Sequence, residues 1–337
     1  MMIASTTPSQ KGIEYVCCNL CGADDTELYY RQPVRPQHTG EYNRDVWDIV
    51  RCQHCGLIYE NPRTDAAALD HLYQFDNSGD YDYIQSWFIR NADLNRAYWQ
   101  QVLRSLRRYP VSGKLLDVGC GAGTFLVEAR QAGYEVSGQE VAPYFVSYCR
   151  EQENLTIYDG ELDTMGIEGA SFDVITAFDM IEHHPDPKRL VTEIRRLLRP
   201  GGLFVISTHD IGNIFARLYG TRWRHMGAIG HIFYFTRPTM AKLLRACGFE
   251  ILHQSSAHTL DQTALAEFRN LVVGFFKLIV LRALILGIYK PVATLFPSLA
   301  RWQFHWGDKT LDHAKLMTRV GTQIVMGDDM VFLAKAI

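Results

Sequence analysis

The sequence has no run of five or six basic residues, because its 34 Lys and Arg are dispersed among 37 Asp and Glu over 337 residues, for a formal net charge of −3. A chain without a basic patch lacks the electrostatic footprint of a polyanion-binding protein, so nucleic acid is a disfavoured partner. The first residues also lack a basic segment followed by an apolar run and a cleavage site. We therefore expect a cytoplasmic protein in a reducing compartment.

An uninterrupted apolar stretch of membrane-spanning length is missing as well. The most apolar part of the chain, 271–300, contains Lys277, Arg282 and Lys290, whereas a spanning helix needs about 20 residues with few charges. The three cations would point in different directions around one helix, which disfavours a helix lying flat on a bilayer. We expect short helices that pack as a lid. The alternative is peripheral contact with the inner membrane face or a lipid substrate.

Changes in composition along the chain predict four segments. Residues 1–14 are polar and expected to be flexible, 15–60 hold a cysteine cluster, and 61–110 form a helical linker or lid that begins near Pro62. From 111 to 337 short apolar runs alternate with helical patterns, which predicts a mostly parallel sheet covered on both faces. A helical insertion, 259–325, precedes the last strand. The predicted strands are 114–118, 134–139, 155–158, 172–178, 202–208, 249–252 and 329–334.

Two Cys-x-x-Cys pairs, each followed by glycine, lie in the N-terminal segment. Two thiolates three residues apart on a turn can chelate one ion, and two such pairs complete a tetrahedral four-sulfur shell. A closed shell leaves no position for activating water, so the ion would stabilise the segment rather than catalyse. We predict a small zinc-binding module over 15–60, with a redox role as the alternative. The predicted zinc ligands are Cys18, Cys21, Cys52 and Cys55.

A glycine-rich turn follows the predicted strand 114–118. Its sequence is Gly119-Cys120-Gly121-Ala122-Gly123, and a helix begins at Thr124. Glycines let the backbone turn tightly and approach a ligand without Cβ atoms in the way. A dinucleotide fingerprint has glycines at the first, third and sixth positions, but the sixth position here is Thr124. A nicotinamide site is therefore disfavoured.

Acidic residues follow the next strands along the chain. Glu140 ends the strand after the glycine turn, where a carboxylate can accept hydrogen bonds from both ribose hydroxyls of an adenosine ligand. Asp159-Gly160-Glu161-Leu162 follows the next strand, at the expected position of the adenine edge. The segment 172–184, which ends in Glu182-His183-His184, completes the pattern.

These motifs, with Asp186-Pro187 and the segment 196–202, resemble class I S-adenosylmethionine-dependent methyltransferases of the ubiquinone and sugar methyltransferase type over 110–255. The resemblance implies an α/β fold: a Rossmann-like, seven-stranded, mostly parallel sheet with helices on both faces. It also implies that Asp179 stands near the methionine amino group. His209-Asp210 departs from the usual Thr-Pro-Asn, at a position that often shapes the acceptor pocket. The other implied contacts are the methionine part with Asp117, Gly119, Gly121 and Gly123, the ribose with Glu140, and the adenine with Glu161 and Leu162.

The cysteine pattern and the following tyrosine-rich stretch 80–84 resemble the N-terminal module of deoxysugar C-methyltransferases. The resemblance implies that the module and its tyrosines close over cofactor and acceptor, and we predict that Tyr81 or Tyr83, with Tyr83 as the candidate, contacts the cofactor. The alternative is simple packing of an aromatic linker.

Histidines are the candidate proton acceptors. Methyl transfer from an activated sulfonium requires the protein to position the acceptor, exclude water and accept one proton, a task that suits histidine near neutral pH. The segment 230–236 resembles a sugar methyltransferase motif with a catalytic-base histidine, although Gly230 stands where that motif usually has Glu. We predict His231 and His183 as catalytic residues, with loop capping as the alternative.

The sequence thus predicts a methyltransferase that uses S-adenosylmethionine and a structural Zn²⁺. Its expected acceptor is an O or C centre of a small molecule such as a sugar, a glycolipid or a natural product. Two alternatives stay open. One is an RNA methyltransferase whose zinc module reads a hairpin, and the other is a non-catalytic zinc-ribbon binding protein that keeps the cofactor fold.

Overall fold

The computed structural model describes residues 12–33, 46–65, 92–220, 223, 225–226, 230–256 and 329–337. Residues 66–91 of the predicted linker or lid, with Tyr83, and the predicted insertion 259–325 with its apolar part lie outside the described residues. Within the described ranges, no helix is both long and apolar enough to cross a membrane.

The cysteine-containing segment folds as short antiparallel strands. Its strands are β1 (Ile13–Glu14), β2 (Thr26–Pro33), β3 (Val46–Cys52), β4 (Ile58–Glu60) and β5 (Arg63–Thr64). β3 pairs with β2 and β4, and β1 pairs with β5. The prediction that Pro62 begins a helix is wrong, because Arg63 and Thr64 extend to pair with Glu14 and Ile13. The pairing of β1 with β5 therefore links residues before the expected boundary at 14 with residues after the expected boundary at 60.

Helices and strands alternate in the rest of the chain. The elements are α1 (Ala92–Leu106), β6 (Lys114–Val118), α2 (Thr124–Gln131), β7 (Glu135–Glu140), α3 (Pro143–Glu151), β8 (Thr156–Asp159), β9 (Phe172–Phe178), α4 (Pro187–Leu197), β10 (Leu198–His209), α5 (Ile214–Tyr219), β11 (Phe233–Tyr234), α6 (Arg237–Ala246), β12 (Phe249–Ser256) and β13 (Asp329–Ala336).

Seven of these strands form one sheet in the order β12-β13-β10-β9-β6-β7-β8. β6, β7, β8, β9 and β10 pair in parallel, whereas β13 runs antiparallel to β10 and β12. The predicted seven-stranded, mostly parallel α/β sheet is confirmed. Because the carboxyl ends of the parallel strands share one edge, the loops after β6, β7, β9 and β10 meet there.

The ends of the helices follow from local sequence. The side chain of Asp186 accepts a hydrogen bond from the Arg189 N–H at the start of α4, and Pro187 occupies the first turn. Thr236 and Thr239 form a capping box at the start of α6. α4 ends at Leu197, and Leu198 already belongs to β10, which is longer than the predicted strand 202–208.

Alternate residues of the central strands enter two separate hydrophobic clusters. Leu116 and Ile175 pack on the side of α4 and α6, whereas Leu115 and Val174 pack on the side of α1, α2 and α3. This alternation is the consequence of the two-residue period of a strand, and it leaves helices on both faces. The predicted two-faced covering of the sheet is confirmed.

The cysteine segment does not form a sheet alone. β11 pairs with β4 through Phe233 opposite Tyr59 and Tyr234 opposite Ile58, which gives a second sheet in the order β11-β4-β3-β2. The Tyr59 side chain is buried in the same cluster as residues of α4 and α6. The segment and the main domain therefore share a sheet and a hydrophobic core.

Candidate functional site

The four predicted zinc ligands come together in the structure. Sγ of Cys18 lies 3.4 Å from Sγ of Cys55, and Sγ of Cys21 lies 3.5 Å from Sγ of Cys52. Zinc–sulfur bonds of about 2.3 Å in a tetrahedron place sulfurs about 3.8 Å apart. The thiol spacing therefore fits a single four-sulfur metal site, and one atom of each residue lies within 4.8 Å of the others.

Both Cys-x-x-Cys turns have the same backbone geometry. The N–H of Gly22 donates to the Cys18 carbonyl and that of Gly56 to the Cys52 carbonyl, and both glycines have positive φ angles of 76° and 82°. Burial raises the pKa of the Cys55 thiol to about 11. A buried thiolate is unfavourable without a cation beside it, so the chemistry of this donor set suits Zn²⁺.

The glycine turn after β6 is built around left-handed backbone angles. Gly119, Gly121 and Gly123 have φ angles of 68°, 51° and 70°. A Cβ at Gly123 would meet the Leu155 side chain at 2.6 Å, whereas a Cβ at Gly121 would meet no atom within 4 Å. The middle of the turn thus faces open space, where a ligand can approach the backbone closely.

Glu140 holds this turn from the neighbouring strand. Its Oε2 accepts the Gly121 N–H at 2.8 Å, and its Oε1 accepts the N–H groups of Val141 and Ala142 at 2.8 and 2.9 Å. Burial raises the pKa of Glu140, while these three N–H groups oppose the shift. A carboxylate has about four acceptor positions, so one remains on Oε2 for a ligand hydroxyl.

Asp117 and Gln139 form side-chain hydrogen bonds next to the glycine turn. The Asp117 carboxylate accepts the Thr176 hydroxyl at 2.7 Å, and burial raises the pKa of Asp117 to about 7. The Gln139 side chain accepts the Gly119 N–H at 3.1 Å and donates to the Gly160 carbonyl at 2.8 Å, so it ties two loops together. Sequence reasoning missed Gln139. Its place directly before Glu140 at a strand end was the available signal.

The remaining predicted cofactor contacts lie on the loops after β8 and β9. Leu162 is buried, while Glu161 is exposed and lies 3.7 Å from the His184 imidazole, which lowers the pKa of Glu161. Asp179 follows β9 with a φ of 49°, and its Oδ1 accepts the Ser207 hydroxyl at 2.8 Å. The structure thus places both loops at the edge that carries the glycine turn.

His183 and His231, the predicted catalytic histidines, contact each other. Their ring centroids are 4.6 Å apart in an edge-on arrangement. Burial lowers the pKa of His183 to about 4, so this imidazole is neutral at physiological pH and is a weaker base than an exposed histidine. Nδ1 of His231 lies 3.2 Å from the His225 carbonyl, which supplies the orienting acceptor that Gly230 cannot.

Sequence reasoning missed two further histidines beside this pair. His209, at the end of β10, stacks on His225 with ring centroids 3.4 Å apart. Burial lowers the pKa of His209, but contact with the Asp329 carboxylate at 2.5 Å outweighs it and raises the pKa to about 9. Glu182 is also buried, which raises its pKa to about 7. The signal in the sequence for this cluster is that His209-Asp210 stands where related enzymes usually have Thr-Pro-Asn.

Helix α1 covers the end of β9 with aromatic rings. The Trp99 ring lies 4.9 Å from the Phe178 ring and 5.4 Å from the Phe125 ring. Arg96, one turn earlier, forms an ion pair with Glu128 of α2 at 2.9 Å. α1 therefore fixes the strand end from which Asp179 and His183 project.

The sheet with a single antiparallel strand β13, the glycine turn after β6 and the carboxylate at the end of β7 define the class I S-adenosylmethionine-dependent methyltransferase fold. Residues 90–254 match the family described as "Methyltransferase domain". This part of the chain is therefore a methyltransferase domain of that class, as the sequence motifs predict.

Curated relatives match a shorter stretch of the chain. A ubiquinone biosynthesis O-methyltransferase of Cereibacter sphaeroides (strain ATCC 17029 / ATH 2.4.9) is 36% identical over 100 residues, and one of Xanthomonas axonopodis pv. citri (strain 306) is 32% identical over 111 residues. These stretches are 28% and 31% of this chain, and they span 40% and 46% of the relatives' length.

A solved structure covers more of the fold. Phosphoethanolamine N-methyltransferase 2 from Haemonchus contortus, in complex with S-adenosyl-L-methionine, aligns with 92% of this chain and 68% of its own, at a TM-score of 0.50 and 17% identity. At this identity the likeness shows the fold alone.

Proposed function

We propose that the protein transfers a methyl group from S-adenosylmethionine to an oxygen or carbon centre of a small molecule. The observation that carries the proposal is the position of two features at one edge of the sheet. The open glycine turn held by Glu140 follows β6, and the contacting pair His183 and His231 lies beyond the ends of β9 and β10.

The cofactor half of this site binds the adenosine and methionine parts of S-adenosylmethionine. The free acceptor position on Glu140 takes a ribose hydroxyl, and Leu162 supplies an apolar surface for the adenine beside Glu161. Asp117 and Asp179 place negative charge near the cationic methionine part, and the open face at Gly121 admits it. Tyr83 as a further cofactor contact stays a prediction, since it lies outside the described residues.

The acceptor half needs a group that receives a proton. The His183 imidazole is neutral because burial lowers its pKa, and we assign it to take the proton that the acceptor loses, with the His231 ring packed edge-on against it. The methyl carbon is already activated by the sulfonium, and positioning contributes the rest of the rate enhancement. The segment with Tyr83 and the insertion 259–325 would exclude water.

The acceptor is proposed to be a sugar, a glycolipid or a natural product. The names of the curated relatives describe O-methyltransferases, which favours an oxygen centre over a carbon centre. Contact of 271–300 with a lipid acceptor or with the inner membrane face is part of this proposal, and it applies only if the acceptor is lipidic.

The four-cysteine cluster is proposed to hold a structural Zn²⁺. The sulfur spacing and the matched glycine turns support this assignment. With all four positions filled by thiolates, the ion would stabilise the segment that pairs with β11, and it would take no part in the methyl transfer.

Calorimetry with S-adenosylmethionine, followed by mass spectrometry of methyl transfer to a panel of nucleotide-sugars, glycolipids, polyketides and phenols, tests this function. His183→Gln should keep cofactor binding and lose about 10²–10⁴-fold in kcat. The matched control is His253→Gln on β12, which should leave kcat unchanged. A wild-type protein that does not bind S-adenosylmethionine would overturn the proposal.

A further inference from the structure

The turn between the first two cysteines of the four-cysteine cluster contacts helix α4. Nδ2 of Asn19 donates to Oδ1 of Asp186 at 2.7 Å, and Oδ1 of Asn19 accepts the N–H of Lys188 at 2.9 Å. The same Asp186 oxygen accepts the Arg189 N–H, which makes Asn19 part of the cap at the start of α4. One amide side chain therefore ties the four-cysteine cluster to the first turn of α4 through both its nitrogen and its oxygen.

The loop just before α4 places an imidazole beside the predicted adenine contact. The N–H of Asp186 donates to Nδ1 of His184 at 3.0 Å, so the proton of the neutral ring is on Nε2. This Nε2 lies 3.7 Å from Oε2 of Glu161. The His184 side chain is 15% exposed and the Glu161 side chain 49% exposed. The ring thus directs its N–H at the carboxylate from the protein side, and the outer half of the carboxylate stays open to a ligand.

We infer that Asn19 and His184 are positioning residues for the cofactor, through which the first cysteine turn holds Glu161 in place to accept the amino group of adenine. Adenine lies at Glu161 only if the proposed function holds, so the inference rests on that function. An ionised carboxylate is an acceptor-only group, which suits the N–H donors of this amino group. Contact with His184 lowers the pKa of Glu161 and so favours the ionised form.

Two further contacts hold the same loops together. The Arg63 guanidinium of β5 donates to the Pro185 carbonyl, between His184 and the start of α4. Arg189 of α4 forms an ion pair with Asp163, which follows Glu161 by two residues. Energetic coupling between sites is carried by such connected hydrogen bonds and ion pairs. A displacement of the first cysteine turn should therefore reach the loop after β8.

The second cysteine turn supplies a matched control within the same chain. Gln53 directly follows the first cysteine of its turn, as Asn19 does in the other turn. Nε2 of Gln53 donates to Oδ1 of Asp25 at 3.1 Å, a residue of the cysteine segment itself. Truncation of either amide changes a turn between two cysteines, but only the Asn19 amide bonds to the residues that lead to Glu161.

Calorimetry with S-adenosylmethionine on the zinc-loaded full chain tests the inference. Asn19→Ala should bind at least about 5-fold more weakly than the wild type, the lower end of typical coupling between sites. S-adenosylhomocysteine has the same adenosine part and should lose affinity by the same factor. Gln53→Ala should bind both ligands as the wild type does.

Two substitutions of His184 separate positioning from local structure. Asparagine keeps an acceptor close to the position of Nδ1 but has no donor that reaches Glu161, whereas glutamine keeps a donor close to the position of Nε2. His184→Asn should therefore weaken binding more than His184→Gln does. A role limited to accepting the Asp186 N–H gives the opposite order. Asn19→Ala should cost nothing further in the His184→Asn background, because residues that act through one path are not additive.

Co²⁺ in place of Zn²⁺ shows that the variants keep the four-cysteine cluster, because sulfur-to-cobalt charge-transfer bands arise from its thiolates. These bands should be unchanged in Asn19→Ala and His184→Asn. Wild-type affinity in either variant, or additive losses in the double variant, overturns the inference and leaves the proposed function standing. A wild type that binds neither ligand overturns the proposed function and the inference with it.

Discussion

The backbone N–H of Gly121 donates a 2.8 Å hydrogen bond to Oε2 of Glu140, so one buried carboxylate connects the turn after β6 with the end of β7. Three backbone N–H groups converge on this side chain. Glu140 is therefore both a support for the glycine turn and a proposed ribose contact, and changing it tests both roles.

Glu140→Gln should weaken S-adenosylmethionine binding by about 10–100-fold. The amide nitrogen would face an N–H donor, and hydrogen bonds to charged groups contribute about 1.5–3 kcal/mol. Calorimetry measures the change. Glu135→Gln, at the exposed start of the same strand, is the control and should bind as the wild type does. Wild-type affinity in Glu140→Gln would refute the role of this carboxylate.

Asp117→Asn should change the pH dependence of stability. Burial raises the pKa of Asp117 from 3.8 to about 7, so its contribution to stability is fully present below pH 3.8 and is lost as pH rises to about 7. Asparagine can still accept the Thr176 hydroxyl but does not titrate. The free energy of unfolding of the variant should therefore rise relative to that of the wild type between pH 4 and 7. Above pH 7 the difference between the two should stay constant.

Urea unfolding of cofactor-free protein at a series of pH values measures this difference. Asp159→Asn, at the exposed end of β8, is the matched control for loss of a carboxylate. A difference between Asp117→Asn and wild type that is constant from pH 4 to 8 would show that Asp117 is ionised throughout. With ligand present, Asp117→Ala should abolish S-adenosylmethionine binding.

Cys52→Ser should release the zinc ion of the four-cysteine cluster and lower the melting temperature. Loss of a structural ion removes folding free energy from the segment that holds β4, so backbone N–H groups in β4 and β11 should exchange faster with deuterium. Cys17→Ser changes an exposed neighbouring thiol and should have no effect. With Co²⁺ in place of Zn²⁺, sulfur-to-cobalt charge-transfer absorption reports on the thiolate ligands. Full absorption of this kind in Cys52→Ser would contradict the four-thiolate site.

Gly138→Ala should destabilise the protein by about 1–3 kcal/mol, a typical cost of overpacking. A Cβ there would meet Sγ of Cys120 at 2.6 Å and the side chains of Ile157 and Leu126 at 2.8 and 2.9 Å. Urea unfolding provides the measurement. Ser137→Ala removes only a 3.4 Å hydrogen bond to the Leu115 carbonyl and should cost less than about 1 kcal/mol. Equal costs for both variants would argue against close packing under the glycine turn.

The elements of the main sheet could be predicted because their signals are local. The strand 114–118 and the helix start at Asp186-Pro187 depend on apolar runs, caps and turn residues within a few positions. The same holds for the glycine turn and for Glu140, whose spacing along the chain reflects adjacent parallel strands.

Features that depend on distant contacts could not be read from the sequence. Phe233 and Tyr234 carry no signal that they complete the sheet of the cysteine segment, because β4 supplies their partners. The contact between His209 and Asp329 likewise requires the register of β10 and β13. Pro62 was misread since proline suits both a first helical turn and the start of a short strand.

The pairing of β4 with β11 bears on how the chain is synthesised. Lys242 donates to the Cys55 carbonyl across 187 residues of sequence, and β11 lies just before this lysine. At about 5–20 residues per second, the ribosome needs roughly ten to forty seconds to synthesise the chain between β4 and its partner strand β11. During that interval the unpaired edge of β4 is exposed to other nascent chains, so this strand should be a site where aggregation during translation begins.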